Sequence, residues 1–239
     1  MMRFPFGSPS APTAAPRRGA ADHRVLYQAA SWCLQYPDDE VLARAALLRA
    51  ALDEQPSSDA VLALGRFVDH LAATDPDDLR HSYVDVFDLS RRQTLYLTYW
   101  THGDTRRRGA ALAAIKQRYR DAGFLVDTRG ELTDYLPMVL EFAARVDPDG
   151  GRELLVEYRP CLELIRLALA DQTSAYADVL TAVCATLPGP SPADRASALA
   201  MRGEAETVEQ VGLDAGDPRL MPLFTVAEMA ATAPMGGRR

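Results

Sequence analysis

The 239-residue sequence is poor in the side chains that cross-link a fold or bind metals, with three cysteines, four histidines and one lysine. Cys33, Cys161 and Cys184 are odd in number and form no CxxC motif, so neither a disulfide framework nor a zinc knuckle is predicted. Each lies among apolar residues at helical spacing, which predicts small buried side chains. Free thiols of this kind fit a reducing compartment, so we expect a cytoplasmic protein.

Long hydrophobic runs are also absent. No uncharged apolar stretch reaches the ~18 residues that span a bilayer. Arg17-Arg18 resembles the arginine pair of an export signal, but charged residues follow instead of an apolar segment, so export is not predicted. The Pro-, Ser- and Ala-rich composition of residues 1–21 predicts a disordered lead.

The motifs of the common catalytic sites are missing too. No histidine follows a glutamate by three residues and no HExxH occurs, so the metal sites of helical bundles are not predicted. The sequence has no phosphate loop, Rossmann glycine pattern or nucleophile elbow. We therefore expect a protein that is not an enzyme and needs no metal or cofactor. The net charge of −7 argues against a general nucleic-acid binder.

What the sequence does contain is helical periodicity along most of its length. Apolar residues recur at helical spacing from residue 22 to residue 187, and proline or glycine punctuates the segments at Pro37, Pro56 and Gly123. Asp38, Ser57 or Ser58, and Asp75 are typical N-caps, and Thr133 or Asp134 is expected to start the helix that has Pro137 in its first turn. Pro160 predicts a kink or a division into two helices.

The predicted fold class is all-α, a single bundle-like domain of about eight or nine helices with flexible termini. Its expected limits are residues 22–190, followed by a mobile tail, residues 191–239, with at most one short helix. Residues 95–100 alternate in a way that also fits a strand, but their helical neighbours favour a helix.

Charge is unevenly distributed. Residues 80–130 contain ten basic and five acidic residues, so the remainder of the chain has a net charge of −12. Two interpretations stay open: ordinary solvated helix faces, or two oppositely charged surfaces that orient a charged partner.

Two polar clusters stand out, at residues 83–109 and 131–142. Asp104 is placed to cap a helix whose first turn would contain Arg106 and Arg108. Because cations in a first turn oppose the helix dipole, these arginines need partners, for which Glu131 and Asp134 are the candidates. From the residue chemistry alone, the clusters are as easily structural as functional.

In combination, these clusters resemble the signature of the nitrate reductase molybdenum-cofactor assembly chaperones. This is the NarJ type, often called a delta subunit, within the TorD/DmsD-like chaperones of twin-arginine-signalled molybdoenzymes. The similarity covers about residues 22–187, and one departure is Thr133, where the family usually has proline. The matching elements are Leu26…Trp32…Leu34…Tyr36-Pro37, Tyr83…Phe87-Asp88, Leu95-Tyr96-Leu97, Gly103-Asp104-x-Arg106-x-Arg108-Gly109, Tyr119…Gly123 and Glu131-Leu132-x-Asp134-Tyr135-Leu136-Pro137…Leu140-Glu141-Phe142.

The resemblance implies a dedicated chaperone. Such a protein binds the N-terminal peptide of the nitrate reductase catalytic (alpha) subunit and keeps that subunit competent for molybdenum cofactor insertion. A client such as dimethyl sulfoxide reductase, trimethylamine oxide reductase or formate dehydrogenase is the alternative. An enzyme that binds a small molecule or a nucleotide is a third hypothesis, against which the missing phosphate loop counts.

The expected peptide-binding residues border an apolar groove that could accept an amphipathic helix: they are Tyr83, Phe87, Leu97, Tyr99, Trp100, His102 and Tyr135. Plain core packing is the alternative for several of these side chains, so we expect only some of them to face solvent. Beside them we expect a structural polar cluster, made of Asp104, Arg106, Arg108, Gly109, Glu131 and Asp134.

Overall fold

The computed structural model describes residues 22–89, 93–102, 106–123 and 130–201. These residues form twelve α-helices and one π-helical turn, π1. The helices are α1 (Arg24–Cys33), α2 (Asp39–Ala43), α3 (Ala45–Asp53), α4 (Asp59–Ala73), α5 (Pro76–Tyr83), π1 (Val84–Asp88), α6 (Leu97–His102), α7 (Arg106–Asp121), α8 (Leu136–Arg145), α9 (Pro148–Glu157), α10 (Arg159–Asp171), α11 (Tyr176–Ala185) and α12 (Arg195–Ala200). The all-α prediction is confirmed.

There are more helices than the eight or nine expected because two predicted helices divide and the short helix α12 forms within residues 191–239. The chain breaks at Arg44, between α2 and α3, without a proline or glycine there. It breaks again at Tyr158, so Pro160 lies in the first turn of α10, where its missing N–H costs no hydrogen bond. The predicted lead, residues 1–21, and the tail beyond residue 201 lie outside the described residues.

Local sequence signals start several helices as predicted. Asp38 accepts a hydrogen bond from the Val41 amide at 2.8 Å, and Ser58 accepts one from the Val61 amide at 3.3 Å. Asp75 caps α5, with Pro76 as the first helical residue. Gly123, with φ of 75°, ends α7 in the left-handed conformation that glycine adopts without a steric penalty.

The core lies where α1, α4, α8, α10 and α11 pack together. The Ser31 hydroxyl of α1 donates to the Pro137 carbonyl of α8 at 2.7 Å, so even the polar contact between these helices is satisfied. Helix α9 approaches α8 so closely that a Cβ on Gly151 would lie 2.4 Å from the Ala143 Cα. All three cysteines are buried free thiols, and burial raises the pKa of the Cys33 thiol to about 12.

A buried ionic network fixes the segment after α11. Glu163 is fully buried on α10 and accepts hydrogen bonds from Arg166 Nε and Ser191 Oγ, each at 2.7 Å. Arg159 donates to the Gly189 carbonyl at 2.8 Å, and Arg166 donates to the Pro192 carbonyl at 2.6 Å. Side chains of α10 therefore bind the backbone of residues 189–192, beyond which Ala198 of α12 is again buried.

Residues 95–100 differ in part from the prediction. Helix α6 begins only at Leu97, while Tyr96 forms an isolated antiparallel bridge with Tyr135. The Leu97 amide donates to the Asp134 carbonyl at 3.1 Å, and the Leu136 amide donates to the Leu95 carbonyl at 2.9 Å. The helix prediction is therefore wrong for Leu95 and Tyr96, because a partner segment distant in sequence takes their backbone bonds.

Candidate functional site

Asp134 organises the site from the loop before α8. It is fully buried, and its Oδ2 accepts hydrogen bonds from the Thr98 amide at 2.9 Å and the Thr98 hydroxyl at 2.6 Å. A carboxylate that accepts from a first-turn amide does for the helix what an N-cap side chain does, here from a segment distant in sequence. Asp134 thus caps α6 instead of starting its own helix, α8, whose N-cap is Tyr135.

Arg108 connects α7 to the same point. Its Nε donates to Thr98 Oγ1 at 3.2 Å, and its guanidinium carbon lies 5.9 Å from the centroid of the Tyr99 ring. The Thr98 hydroxyl accepts from Arg108 while it donates to Asp134, which uses both capacities of a hydroxyl. These contacts join Arg108 to Asp134 through Thr98.

Glu131 has a different neighbour from the one expected. Its Oε2 accepts a hydrogen bond from the Tyr96 hydroxyl at 2.7 Å. Burial and this carboxylate raise the pKa of Tyr96. Arg106 and Gly109 are exposed at the start of α7. Of the predicted polar cluster, the structure brings Asp134 and Arg108 to Thr98 and leaves Glu131 with Tyr96.

Two residues of the predicted peptide groove are core residues. Leu97 is fully buried, and Tyr83 is buried with its hydroxyl donating to the Leu34 carbonyl at 3.2 Å. Tyr83 lies one turn after buried Leu79, so both face the interior from α5. Tyr83 and Leu97 are therefore the members of the set that are core residues in this conformation, and a peptide bound at the surface would contact mainly the others.

The remaining aromatic candidates with described side chains are half-buried. The Phe87 ring lies 4.9 Å from Tyr83 and 4.9 Å from Tyr176, and the Trp100 indole donates to the Thr94 carbonyl at 2.9 Å. Burial and the neighbouring Tyr83 raise the pKa of Tyr135. We call Phe87, Tyr99, Trp100 and Tyr135 the aromatic set. The side chain of His102 and all of Asp104 lie outside the described residues.

The sequence patterns did not single out π1. The Leu89 amide donates to the Val84 carbonyl at 3.0 Å, five residues back, which widens the turn that carries Phe87. π-turns are frequent at functional sites. Leu89, which directly follows π1, is 75% exposed, and Asp85 and Asp88 within π1 are exposed as well. This apolar surface therefore has acidic neighbours.

A second feature missed from the sequence is a groove of about 600 Å³ between α1, α3 and the end of α8. Its walls include Val25, Trp32 and Leu47, and Leu47 is 60% exposed. Both amide atoms of Gln28 are buried there without a hydrogen-bond partner in the described part of the chain. The available signal was three apolar residues on α1, at positions 25, 29 and 32, which share one helix face with the polar Gln28.

Neither a metal site nor a membrane-spanning helix is found within the described ranges. No group of three or more histidine, cysteine, aspartate or glutamate residues there is arranged to hold a metal ion. None of the described helices has both the length and the apolar character needed to cross a membrane.

Comparison with known proteins agrees with this architecture. The family profile described as "Nitrate reductase delta subunit" matches residues 50–182. A crystallised redox enzyme maturation protein from Archaeoglobus fulgidus superimposes with a TM-score of 0.53 over 69% of this chain and 93% of that one, at 20% sequence identity. At that identity the likeness shows the fold alone.

Relatives of known name are closer in sequence. Nitrate reductase-like protein NarX of Mycobacterium tuberculosis is 46% identical over 162 residues, which are 68% of this chain but only 24% of NarX. "Probable nitrate reductase molybdenum cofactor assembly chaperone NarJ" of Bacillus subtilis is 32% identical over 70% of this chain and 90% of its own length. NarJ of Escherichia coli is 35% identical over 54% of this chain and 53% of its own length. The NarJ relatives are named as assembly chaperones, which makes their family one of chaperones and not of catalytic enzymes. The chain therefore belongs to this family, that of the nitrate reductase delta subunit.

Proposed function

We propose that this protein is a system-specific chaperone for respiratory nitrate reductase. It binds the N-terminal peptide of the catalytic subunit and keeps that subunit competent for molybdenum cofactor insertion and complex assembly. The NarJ relatives, named as molybdenum cofactor assembly chaperones, support the client. We further propose that it acts in the cytoplasm, because its three cysteines are buried free thiols, which fits a reducing compartment.

The observation that supports peptide binding is the aromatic set together with the hydrogen-bonded residues Arg108, Thr98 and Asp134. Phe87, Tyr99, Trp100 and Tyr135 are half-buried, so they offer apolar area while their packing already restricts their rotamers. Aromatic residues with few rotatable bonds are typical hot spots of interfaces. The exposed carboxylates of Asp85 and Asp88 lie next to Phe87 in sequence and favour a basic peptide.

The test is calorimetry of the full chain with a peptide copying the first ~15–30 residues of the nitrate reductase catalytic subunit. We expect binding with a negative heat-capacity change, because an amphipathic helix would bury apolar area. Tyr99→Ala and Trp100→Ala should each weaken binding about fivefold or more, as truncated interface aromatics do. Leu62→Ala, at an exposed site on α4, is the control that should leave affinity unchanged.

Three outcomes would change the assignment. Unchanged affinity across the whole aromatic set would remove the site from this surface. If Leu47→Ser weakens binding and the variants of the aromatic set do not, the peptide binds in the groove between α1, α3 and α8. Binding of a leader from dimethyl sulfoxide, trimethylamine oxide or formate enzymes, but not of the nitrate reductase peptide, would assign a different client.

A further inference from the structure

Helix α7 has a surface that the proposed peptide site does not use. Only Ile115 and Tyr119 of its sixteen residues are buried. At 100° per residue, the ten exposed residues of α7 cover one continuous arc of about half the helix circumference. Four cations lie in this arc: Arg106 and Arg107 at one end, and Lys116 and Arg120 at the other. We call it the basic arc.

The cations of α7 differ in whether they have partners within the described part of the chain. Arg118, outside the arc, pairs with Glu157 at 2.6 Å, and Arg108 contacts Thr98. Among the described residues, no carboxylate pairs with any of the four cations of the arc. Six bases and one acid give α7 a net charge of +5 in a chain of −7.

Two of the four cations are placed where they oppose helix stability. Arg106 and Arg107 occupy the first turn, where positive charge opposes the helix dipole. The centre of the arc contains the small residues Gly109, Ala110, Ala113 and Ala114, all exposed. A flat centre between two cationic ends, about 14 to 21 Å apart along the axis, lets another helix approach while the long side chains reach outward.

The chemistry of the arc selects among anionic partners. Membrane-surface helices insert Trp, Phe or Leu, and the arc has none of these. Single-stranded nucleic acid needs aromatic side chains on which bases stack, and these too are missing from the arc. Arginine forks bind carboxylates bidentately. We propose that the basic arc docks an acidic helix of a partner protein, with carboxylates near both ends of a ten- to fourteen-residue span.

The chain offers an unusually specific probe, since Lys116 is its only lysine. A zero-length carbodiimide reagent joins an amine to a carboxylate in contact with it. Apart from the α-amino group, which peptide mapping distinguishes, Lys116 is the one primary amine that can react. We therefore expect the full chain to cross-link through Lys116 to a helical alanine-rich peptide that carries two glutamates at each end. Lys116→Arg should abolish this cross-link while it preserves binding.

Calorimetry with the same peptide measures the affinity. Replacing Arg106, Arg107, Lys116 and Arg120 by Gln should weaken binding at least about fivefold, because each exposed ion pair contributes modestly. The matched control replaces Arg24, Arg49, Arg66 and Arg195 by Gln, which changes net charge equally elsewhere and should leave affinity unchanged. Affinity should also fall as ionic strength rises.

Several results would overturn the proposal. These are equal binding of a peptide whose four glutamates are clustered at its centre, an equal loss in the matched control, or a Lys116 cross-link between two copies of this chain. Competition of equal strength by phosphatidylglycerol vesicles or by single-stranded oligonucleotide would show an unspecific anion surface. None of these results bears on nitrate reductase peptide binding, which is measured with a different ligand.

Discussion

Helices α7 and α8 are neighbours in sequence and opposites in their environment. Every residue of α8 except Arg145 is buried, whereas α7 buries two of its sixteen. The loop containing Asp134 joins them, since Asp134 caps α6 and Arg108 of α7 reaches the same Thr98 hydroxyl. The comparison indicates that α8 contributes stability and α7 contributes surface. Substitutions in the two helices and in the loop between them test whether stability and surface are divided in this way.

The largest contrast should come from leucine truncation. Leu140→Ala on α8 removes a fully buried side chain and should lower the free energy of unfolding by about 2–5 kcal/mol. Leu112→Ala on α7 removes a half-buried one and should cost less than about 1.5 kcal/mol. Urea denaturation of both variants measures the difference. Equal losses would mean that α7 packs as tightly as α8.

A smaller effect is expected where the two helices are connected. Asp134→Ala leaves the Thr98 amide and hydroxyl without their buried acceptor, which should cost about 1–3 kcal/mol. Hydrogen exchange should show faster exchange at the Thr98 amide and unchanged protection at Leu64 in the core. Uniform loss of protection would instead mean that Asp134 supports the whole fold.

Charge reversal on α7 should change stability by less, and in opposite directions at its two ends. Arg106→Glu puts an acid in the first turn and should raise the free energy of unfolding by about 0.3–1 kcal/mol at low salt. Arg120→Glu puts an acid in the last turn and should lower it by a similar amount. Thermal unfolding at low and high salt measures both, and a change of the same sign in the two variants would contradict the dipole argument.

The smallest effect concerns Glu141 on α8. Burial raises the pKa of its carboxyl, and the ion pair with Arg145 opposes that shift only in part. The folded state therefore binds this proton more tightly than the unfolded state does. Stability should fall as pH rises from the unfolded pKa through the folded one. Denaturation between pH 4 and 8 should show this slope in the wild type and not in Glu141→Gln, and identical slopes would remove Glu141 as its cause.

The sequence predicted the elements whose signals are local. Asp38, Ser58 and Asp75 cap the helices that follow them, and Gly123 ends α7, because caps and left-handed residues act within a few positions. Pro160 marked the start of α10 for the same reason.

What the sequence did not reveal depends on contacts between distant segments. Asp134 fits the pattern of a cap for α8, yet it caps α6, thirty-six residues earlier in the chain. Tyr83 and Leu97 are residue types that binding surfaces often contain, and only the packing of the fold shows that they are interior. Periodicity identifies an apolar face but not whether another helix covers it, which is why the groove along α1 was also missed.

The network around Glu163 sets the length of chain that can fold independently. The family profile ends at residue 182, but Arg159, Glu163 and Arg166 find their partners at residues 189–192. A recombinant fragment cut at the profile boundary would leave a buried carboxylate and two guanidinium groups with fewer partners, and buried charges without compensation are strongly destabilising. The minimal autonomous folding unit is therefore longer than the matched family region, and an expression fragment should extend past Pro192 and include α12.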